Sequence, residues 1–195
     1  EAYRKVILLT ANTLSFYQMY AQGNTHIGNP QSPHVLDQWA VARTNQTLEE
    51  VTKAMDEYDT IAACNAISGL VNDVSTWYLR RSRDRVKGEE EADKTQAIRT
   101  LGYVLHVLSK MMAPIVPFIA EEIHQTLREN NHSLKESVHL EDWPVVAQKG
   151  DERVHNQMTS LREAVRKGLE QRDKVKLPVR QPLARATIKS FIELT

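Results

Sequence analysis

Residues 67–85 read ISGLVNDVSTWYLRRSRDR and combine a repeating apolar pattern with a run of arginines. Its apolar residues at positions 67, 70, 71, 74 and 78 recur every three or four residues, the spacing of a helix that turns one face toward a core. Arg81 and Arg85 continue the same line, where a charge is costly unless it pairs, reaches outward or meets an anionic partner. The stretch therefore predicts a long core-facing helix, from about Thr60 to Lys87, that ends in arginines.

The end of this helix places cations directly after two aromatic residues, Trp77 and Tyr78. Between positions 80 and 87 five residues are basic and only Asp84 is acidic, although the whole chain has a formal net charge of zero. Guanidinium groups suit phosphates and base edges, and aromatic rings offer faces for stacking, so we interpret the run as a nucleic-acid contact. A solvated helix end, where the helix dipole favours cations, explains the same residues without a ligand. The candidate RNA-binding residues here are Arg80, Arg81, Arg83 and Arg85.

A second basic region lies near the end of the chain. Residues 162–189 hold nine basic residues against three acidic ones. The helix expected there ends near Asp173, because Pro178 and Pro182 cannot continue it. Cations at this junction could follow a phosphate chain along exposed backbone, and together with the first group they could form one basic face. The candidate RNA-binding residues here are Arg172, Lys174, Lys176 and Arg180.

Five other segments show helical periodicity and are bounded by proline, glycine or capping residues. With residues 60–87 they predict an all-α fold, an antiparallel bundle of about five or six helices with a short C-terminal extension and no central sheet. We expect a helical bundle over residues 1–150, and residues 151–195 as a sixth helix with the start of a truncated extension. The other helices are expected at about residues 4–20, 33–58, 89–112, 114–127 and 151–173.

The composition excludes several classes of protein. With 195 residues, 41% hydrophobic and 26% charged, the make-up is that of a globular protein, and no run reaches the ~18 apolar residues of a membrane span. We expect a cytoplasmic protein that does not enter a membrane. The single cysteine, Cys64, excludes internal disulfides, and the histidines lack zinc-ligand spacing, so no metal is expected. No phosphate-binding loop or nucleophile elbow is present, and the chain alone is expected to catalyse nothing.

Several short motifs, taken in order, resemble the anticodon-binding domain of the class I isoleucyl-tRNA synthetases. They span about residues 36 to 183, and the run from Trp77 to Arg85 and the Val-Arg-Gln-Pro-Leu ending are typical of the isoleucine enzymes. The Asp-x-Trp and Pro-Phe-x-x-Glu-Glu helices are shared more loosely with the valyl, leucyl and methionyl enzymes. The matching motifs are Leu36-Asp37-Gln38-Trp39-Ala40 with Arg43, Tyr58-Asp59, Trp77 to Arg85, Ala113-Pro114-Ile115-Val116-Pro117-Phe118-Ile119-Ala120-Glu121-Glu122, Ser137-Val138-His139-Leu140 with Asp142-Trp143-Pro144, and Val179-Arg180-Gln181-Pro182-Leu183.

The resemblance implies a helical domain of the class Ia synthetase type that grips the anticodon stem and loop of tRNA, while a separate core charges the tRNA. That core, which would bind ATP and magnesium, has no counterpart here, because neither of its two ATP-site signatures occurs in its expected context. The resemblance therefore implies an isoleucine–tRNA ligase as the parent protein. It also implies tRNA and the parent's catalytic domain as partners, a monomer, and no cofactor bound by these 195 residues.

Two alternatives stay open on the sequence. The domain could belong to a valyl- or methionyl-tRNA synthetase, which would agree less well at residues 80–85 and 179–183. A non-catalytic helical scaffold could instead dock a protein partner through Trp143-Pro144 and the basic helix end, and its affinity would not respond to RNA.

Overall fold

The computed structural model describes residues 2–21, 27–28, 30–146, 152–185 and 187, and the chain divides into two compact units, residues 1–150 and 151–195. Throughout the described residues the regular structure is helical and no strand occurs, which confirms the all-α prediction. The first unit contains α1 (Ala2–Tyr20), α2 (Val35–Asp56), α3 (Thr60–Asp73), a π-helical turn (Val74–Tyr78), α4 (Leu79–Lys87), α5 (Glu91–Met112), α6 (Pro117–Asn130) and a 3₁₀ turn (Val138–Leu140), and the second contains α7 (Glu152–Lys174).

A three-residue connection joins α2 to α3, and its shape comes from the backbone of Tyr58. This residue has φ 58°, a left-handed conformation that lets the Asp59 N–H reach the Ala54 carbonyl at 2.8 Å and closes α2. The Asp59 carboxylate then accepts a hydrogen bond from the Ala62 N–H at 2.9 Å and caps α3. One short connection thus ends one helix, starts the next and brings the two into an antiparallel pair.

The core of the first unit forms around α5, which is buried along most of its length. α2 packs against α3 and α5, α6 lies against α5, and α1 contacts α3, α5 and α6. Tyr17 of α1 closes on Gly102 of α5, where an added Cβ would lie 3.2 Å from the tyrosine ring. Trp39 of α2 is only 1% exposed and belongs to this core. α4 packs on α5 with one side and presents the other to solvent.

The connector that follows α6 is fastened to the bundle by polar contacts. The Glu121 carboxylate of α6 accepts hydrogen bonds from the Ser137 hydroxyl and the Val138 N–H, both at 2.9 Å. Lys110 of α5 pairs with Glu141 at 3.1 Å, with side chains 13% and 11% exposed. Two of the quoted motifs, the Pro-Phe-x-x-Glu-Glu helix and the Ser-Val-His-Leu segment, therefore contact each other within the fold.

Candidate nucleic-acid interface

The π-helical turn decides which residues of the predicted long helix face outward. α3, the π turn and α4 form one continuous helical segment from Thr60 to Lys87, as predicted. A π turn holds one more residue than an α turn, so everything after it is rotated by about 100°. Beyond the turn the buried residues of α4 are Leu79, Ser82 and Val86, and Arg81 is exposed. The prediction that Arg81 continues the buried line is wrong for this reason.

Arg85 is held inside the bundle by ion pairs. Its guanidinium donates to both carboxylate oxygens of Asp37, at 2.8 and 2.9 Å, and to Asp93 at distances from 2.6 to 3.0 Å. The Arg85 side chain is 11% exposed. Burial alone would lower the pKa of Arg85, but the hydrogen bonds with Asp37 and Asp93 outweigh it and raise the pKa, so the charge is permanent. These contacts favour a structural role for Arg85 over the predicted contact with RNA, because its donors are taken up by two carboxylates inside the bundle.

The fully buried carboxylate of Asp37 is the centre of this network. It accepts a hydrogen bond from the Tyr78 hydroxyl at 2.8 Å and another from the Ser32 hydroxyl at 2.6 Å. Burial, and next the negative charge of Asp37, raise the pKa of Tyr78 well above its ordinary value, so the phenol stays protonated and keeps donating. Tyr78 and Arg85 thus lock the π turn and α4 onto the start of α2.

Trp77 and Arg81 form a stack on the outer side of the same segment. The guanidinium carbon of Arg81 lies 3.3 Å from the centroid of the Trp77 ring, a cation–π contact. Trp77 is half-buried, and Arg81 is exposed. The indole therefore supports the guanidinium from below while the arginine remains accessible to solvent.

Arg80 and Arg83 complete the cationic side of α4. Both are exposed, and neither forms an ion pair with any residue that the structure describes. Asp84 and Lys87 are exposed nearby on the same helix. Of the four arginines predicted to bind RNA in this run, Arg80, Arg81 and Arg83 are accessible and Arg85 is not.

In the second unit, Arg172 folds the chain back after α7. Its guanidinium donates to the carbonyl of Pro178 at 3.0 Å, to that of Val179 at 3.1 Å, and to that of Gln181. These contacts hold the proline-bounded segment against the helix end. These contacts favour a structural role for Arg172 over the predicted contact with RNA, because one amino group of its guanidinium is engaged by three backbone carbonyls.

The remaining cations of the second unit surround that turn. Lys176 has φ 53°, and the Leu177 N–H bonds the Arg172 carbonyl at 2.8 Å, which closes α7 as a left-handed residue commonly does. The three other predicted contacts are all exposed: Lys174, Lys176 and Arg180.

Other candidate features of the sequence are accounted for by the fold. The indole N–H of Trp143 donates to the Thr52 hydroxyl at 2.9 Å, so this residue of the proposed protein-docking motif contacts α2. Across the described residues no group of three or more histidine, cysteine, aspartate or glutamate side chains is arranged to hold a metal ion. None of the described helices has the length and apolarity needed to cross a lipid bilayer.

A helical bundle with an arginine-rich helix end on its surface is suited to a folded RNA, and comparison with known families gives the class. Residues 37–188 match the family described as the anticodon-binding domain of tRNA ligase. The chain therefore belongs to that family of RNA-recognition domains.

The similar full-length proteins narrow the class further. They include isoleucine–tRNA ligases of Bacillus thuringiensis strain Al Hakam, 38% identical over 94% of this chain, Cutibacterium acnes, 36% identical over 96%, and Dehalococcoides mccartyi strain CBDB1, 38% identical over 96%. The matched regions cover 18%, 20% and 19% of those relatives, so the chain spans about a fifth of their length. The resemblance to the isoleucyl enzymes is confirmed, and it is favoured over the valyl or methionyl alternative and over a helical scaffold.

Proposed function

We propose that this chain is the tRNA-recognition part of an isoleucine–tRNA ligase. It binds the anticodon stem and loop of isoleucine tRNA, while a catalytic domain elsewhere in the parent protein uses ATP and magnesium to activate isoleucine and transfer it to the tRNA. The parent works as a monomer in the cytoplasm. The observation that carries this proposal is the match of residues 37–188 to anticodon-binding domains, in a chain whose α4 exposes a row of arginines.

The contact surface that we propose is smaller than the set of basic residues in the sequence. Exposed arginines and lysines bind phosphates, whereas cations engaged inside the fold position other elements. This criterion leaves out the two arginines that hold carboxylates or carbonyls. The proposed contacts are Arg80, Arg81 and Arg83 in the first unit, and Lys174, Lys176 and Arg180 in the second.

The test is the salt dependence of RNA binding. Fluorescence anisotropy of a labelled isoleucine tRNA transcript is measured with the whole chain over a range of salt concentrations. The double variant Arg80→Gln, Arg83→Gln is expected to bind more weakly and to lower the slope of log affinity against log salt by about 1.5, because each phosphate contact releases roughly one counterion. The matched control is Lys53→Gln, which removes an exposed cation from α2 and should leave the slope unchanged.

The same assay separates the competing functions. Transcripts of isoleucine, valine and methionine tRNA are compared at one salt concentration, and the isoleucine tRNA is expected to bind most tightly. Preference for the valine or methionine tRNA would reassign the parent enzyme. If the double variant at Arg80 and Arg83 has the same slope of log affinity against log salt as the wild type, α4 is not part of the contact surface. If the chain binds none of the three RNAs, the helical scaffold that docks a protein is favoured.

A further inference from the structure

The π-helical turn builds a preformed stack of two side chains on the surface of the first unit. Trp77 belongs to the turn itself, and Arg81 lies one helical turn later with its guanidinium carbon 3.3 Å from the indole centroid. The next residue, Tyr78, is fixed by its hydrogen bond to Asp37, so the backbone that carries Trp77 has one orientation. Arg81 is exposed and Trp77 is half-buried, so the stack lies where solvent can reach it.

We propose that the Trp77–Arg81 stack is a platform for one unpaired nucleobase of the RNA ligand, an inference that rests on the proposed function. Unpaired bases of RNA loops stack on aromatic rings and on guanidinium planes. An arginine already held over an indole loses little further rotamer freedom when a base arrives, whereas an unsupported arginine would have to be ordered. Exposed Arg80 and Arg83 lie on the same helix and supply charge for the adjoining phosphates.

The platform recognises single-stranded character rather than base identity. Every base has a π-face, so stacking tolerates any of the four, and a base paired inside a stem offers its faces only to its neighbours. The stack therefore favours a loop over a duplex. It places the loop side of the stem-loop at the π turn.

Two RNAs and two arginine-to-lysine substitutions test this proposal. The first RNA is an anticodon stem-loop with a fluorescent adenine analogue at one loop position in each of a set of molecules, and the second is a fully paired stem of the same length. Arg81→Lys keeps the positive charge but removes the planar group. The matched control is Arg99→Lys, which makes the same change at an exposed position of α5. Trp77→Leu removes the supporting ring, and circular dichroism establishes that each variant is folded.

We expect the wild-type chain to quench the analogue at one loop position and Arg81→Lys to lose that quenching. Arg81→Lys should also bind the stem-loop about tenfold more weakly, the scale of one lost stacking contact, with no change for the paired stem. Its salt slope should stay constant because the charge is kept. Trp77→Leu should show the same loss of quenching and the same weaker binding of the stem-loop as Arg81→Lys. Arg99→Lys should quench and bind as the wild type does.

Two results overturn the proposal in distinguishable ways. If the wild-type chain binds the stem-loop but Arg81→Lys keeps the quenching and binds within about twofold of Arg99→Lys, the platform is wrong and the proposed function stands. If the wild-type chain binds neither RNA, the proposed function fails and the platform fails with it.

Discussion

Replacing Asp37 with alanine is expected to destabilise the first unit more than any exposed substitution in α4. The buried carboxylate accepts four hydrogen bonds, two from Arg85 at 2.8 and 2.9 Å, one from Tyr78 at 2.8 Å and one from Ser32 at 2.6 Å. Without it, an arginine that is 11% exposed keeps only Asp93 as a charged partner. The buried positive charge of Arg85 is then only partly neutralised, and a buried charge that has lost a partner lowers the free energy of unfolding.

The size of the effect follows from that geometry. Removing one partner of a buried ion pair costs about 3–5 kcal/mol, because the other charge stays buried. With a urea dependence of about 2 kcal/mol per molar, the midpoint of urea unfolding should fall by about 2 M. A domain whose free energy of unfolding is roughly 5–15 kcal/mol would be left marginally folded, so the variant should still be helical at low temperature.

Urea titration followed by circular dichroism measures this change. The control is Asp84→Ala, which removes an exposed carboxylate from the same motif and should alter the free energy of unfolding by less than about 0.5 kcal/mol. The double variant Asp37→Ala, Arg85→Met should lose less stability than the sum of the two single variants, because it removes both charges together. Equal midpoints for Asp37→Ala and Asp84→Ala would show that the buried ion pair stabilises the first unit no more than an exposed carboxylate does.

Three further changes test other contacts. Arg85→Met should weaken the fold but leave the RNA affinity of the folded protein within about twofold of wild type, since the guanidinium faces inward; a large loss of affinity would return this residue to the RNA surface. Tyr58→Gly should stabilise the chain by about 1 kcal/mol in a thermal melt, because φ 58° suits glycine, whereas Tyr58→Phe should change nothing. Burial raises the pKa of Glu141, but hydrogen bonds from the Lys135 N–H and from Lys110 lower it more, so its net pKa lies below the ordinary value. The stabilisation by this carboxylate is therefore present above its unfolded-state pKa and lost as pH falls through the folded-state pKa, so Glu141→Gln should flatten the acid side of the stability profile in urea titrations at several pH values.

Helix positions were predictable because they follow from local patterns. The long helix begins at Thr60 and ends at Lys87 as predicted, since Asp59 caps it and the apolar spacing is visible along the chain. A helix cap and an apolar repeat depend only on residues a few positions apart, so a single sequence is enough to predict them.

The roles of the arginines were less accessible from sequence. After the π turn the apolar residues Leu79 and Val86 are shifted by one position from the earlier line, and this single-residue shift is too small to have predicted the outward rotation of Arg81. The sequence indicated that Arg85 needed a partner, but Asp37 lies 48 positions earlier and is recognisable only once the helices are packed. Arg172 likewise binds carbonyls of a segment whose return toward α7 was not predicted. Contacts between side chains that lie far apart in the sequence could not be predicted from one sequence alone.

The extra residue of the π turn is in effect an insertion carried inside a helix. A relative without it would run straight through this region as an ordinary α-helix. An alignment that forbids gaps within helices would then match each residue after Tyr78 to the wrong counterpart in such a relative, and the inward arginine would be compared with an outward position. Allowing a one-residue gap between positions 74 and 78 restores the correspondence. Effects of substitutions could then be transferred between family members across this helix.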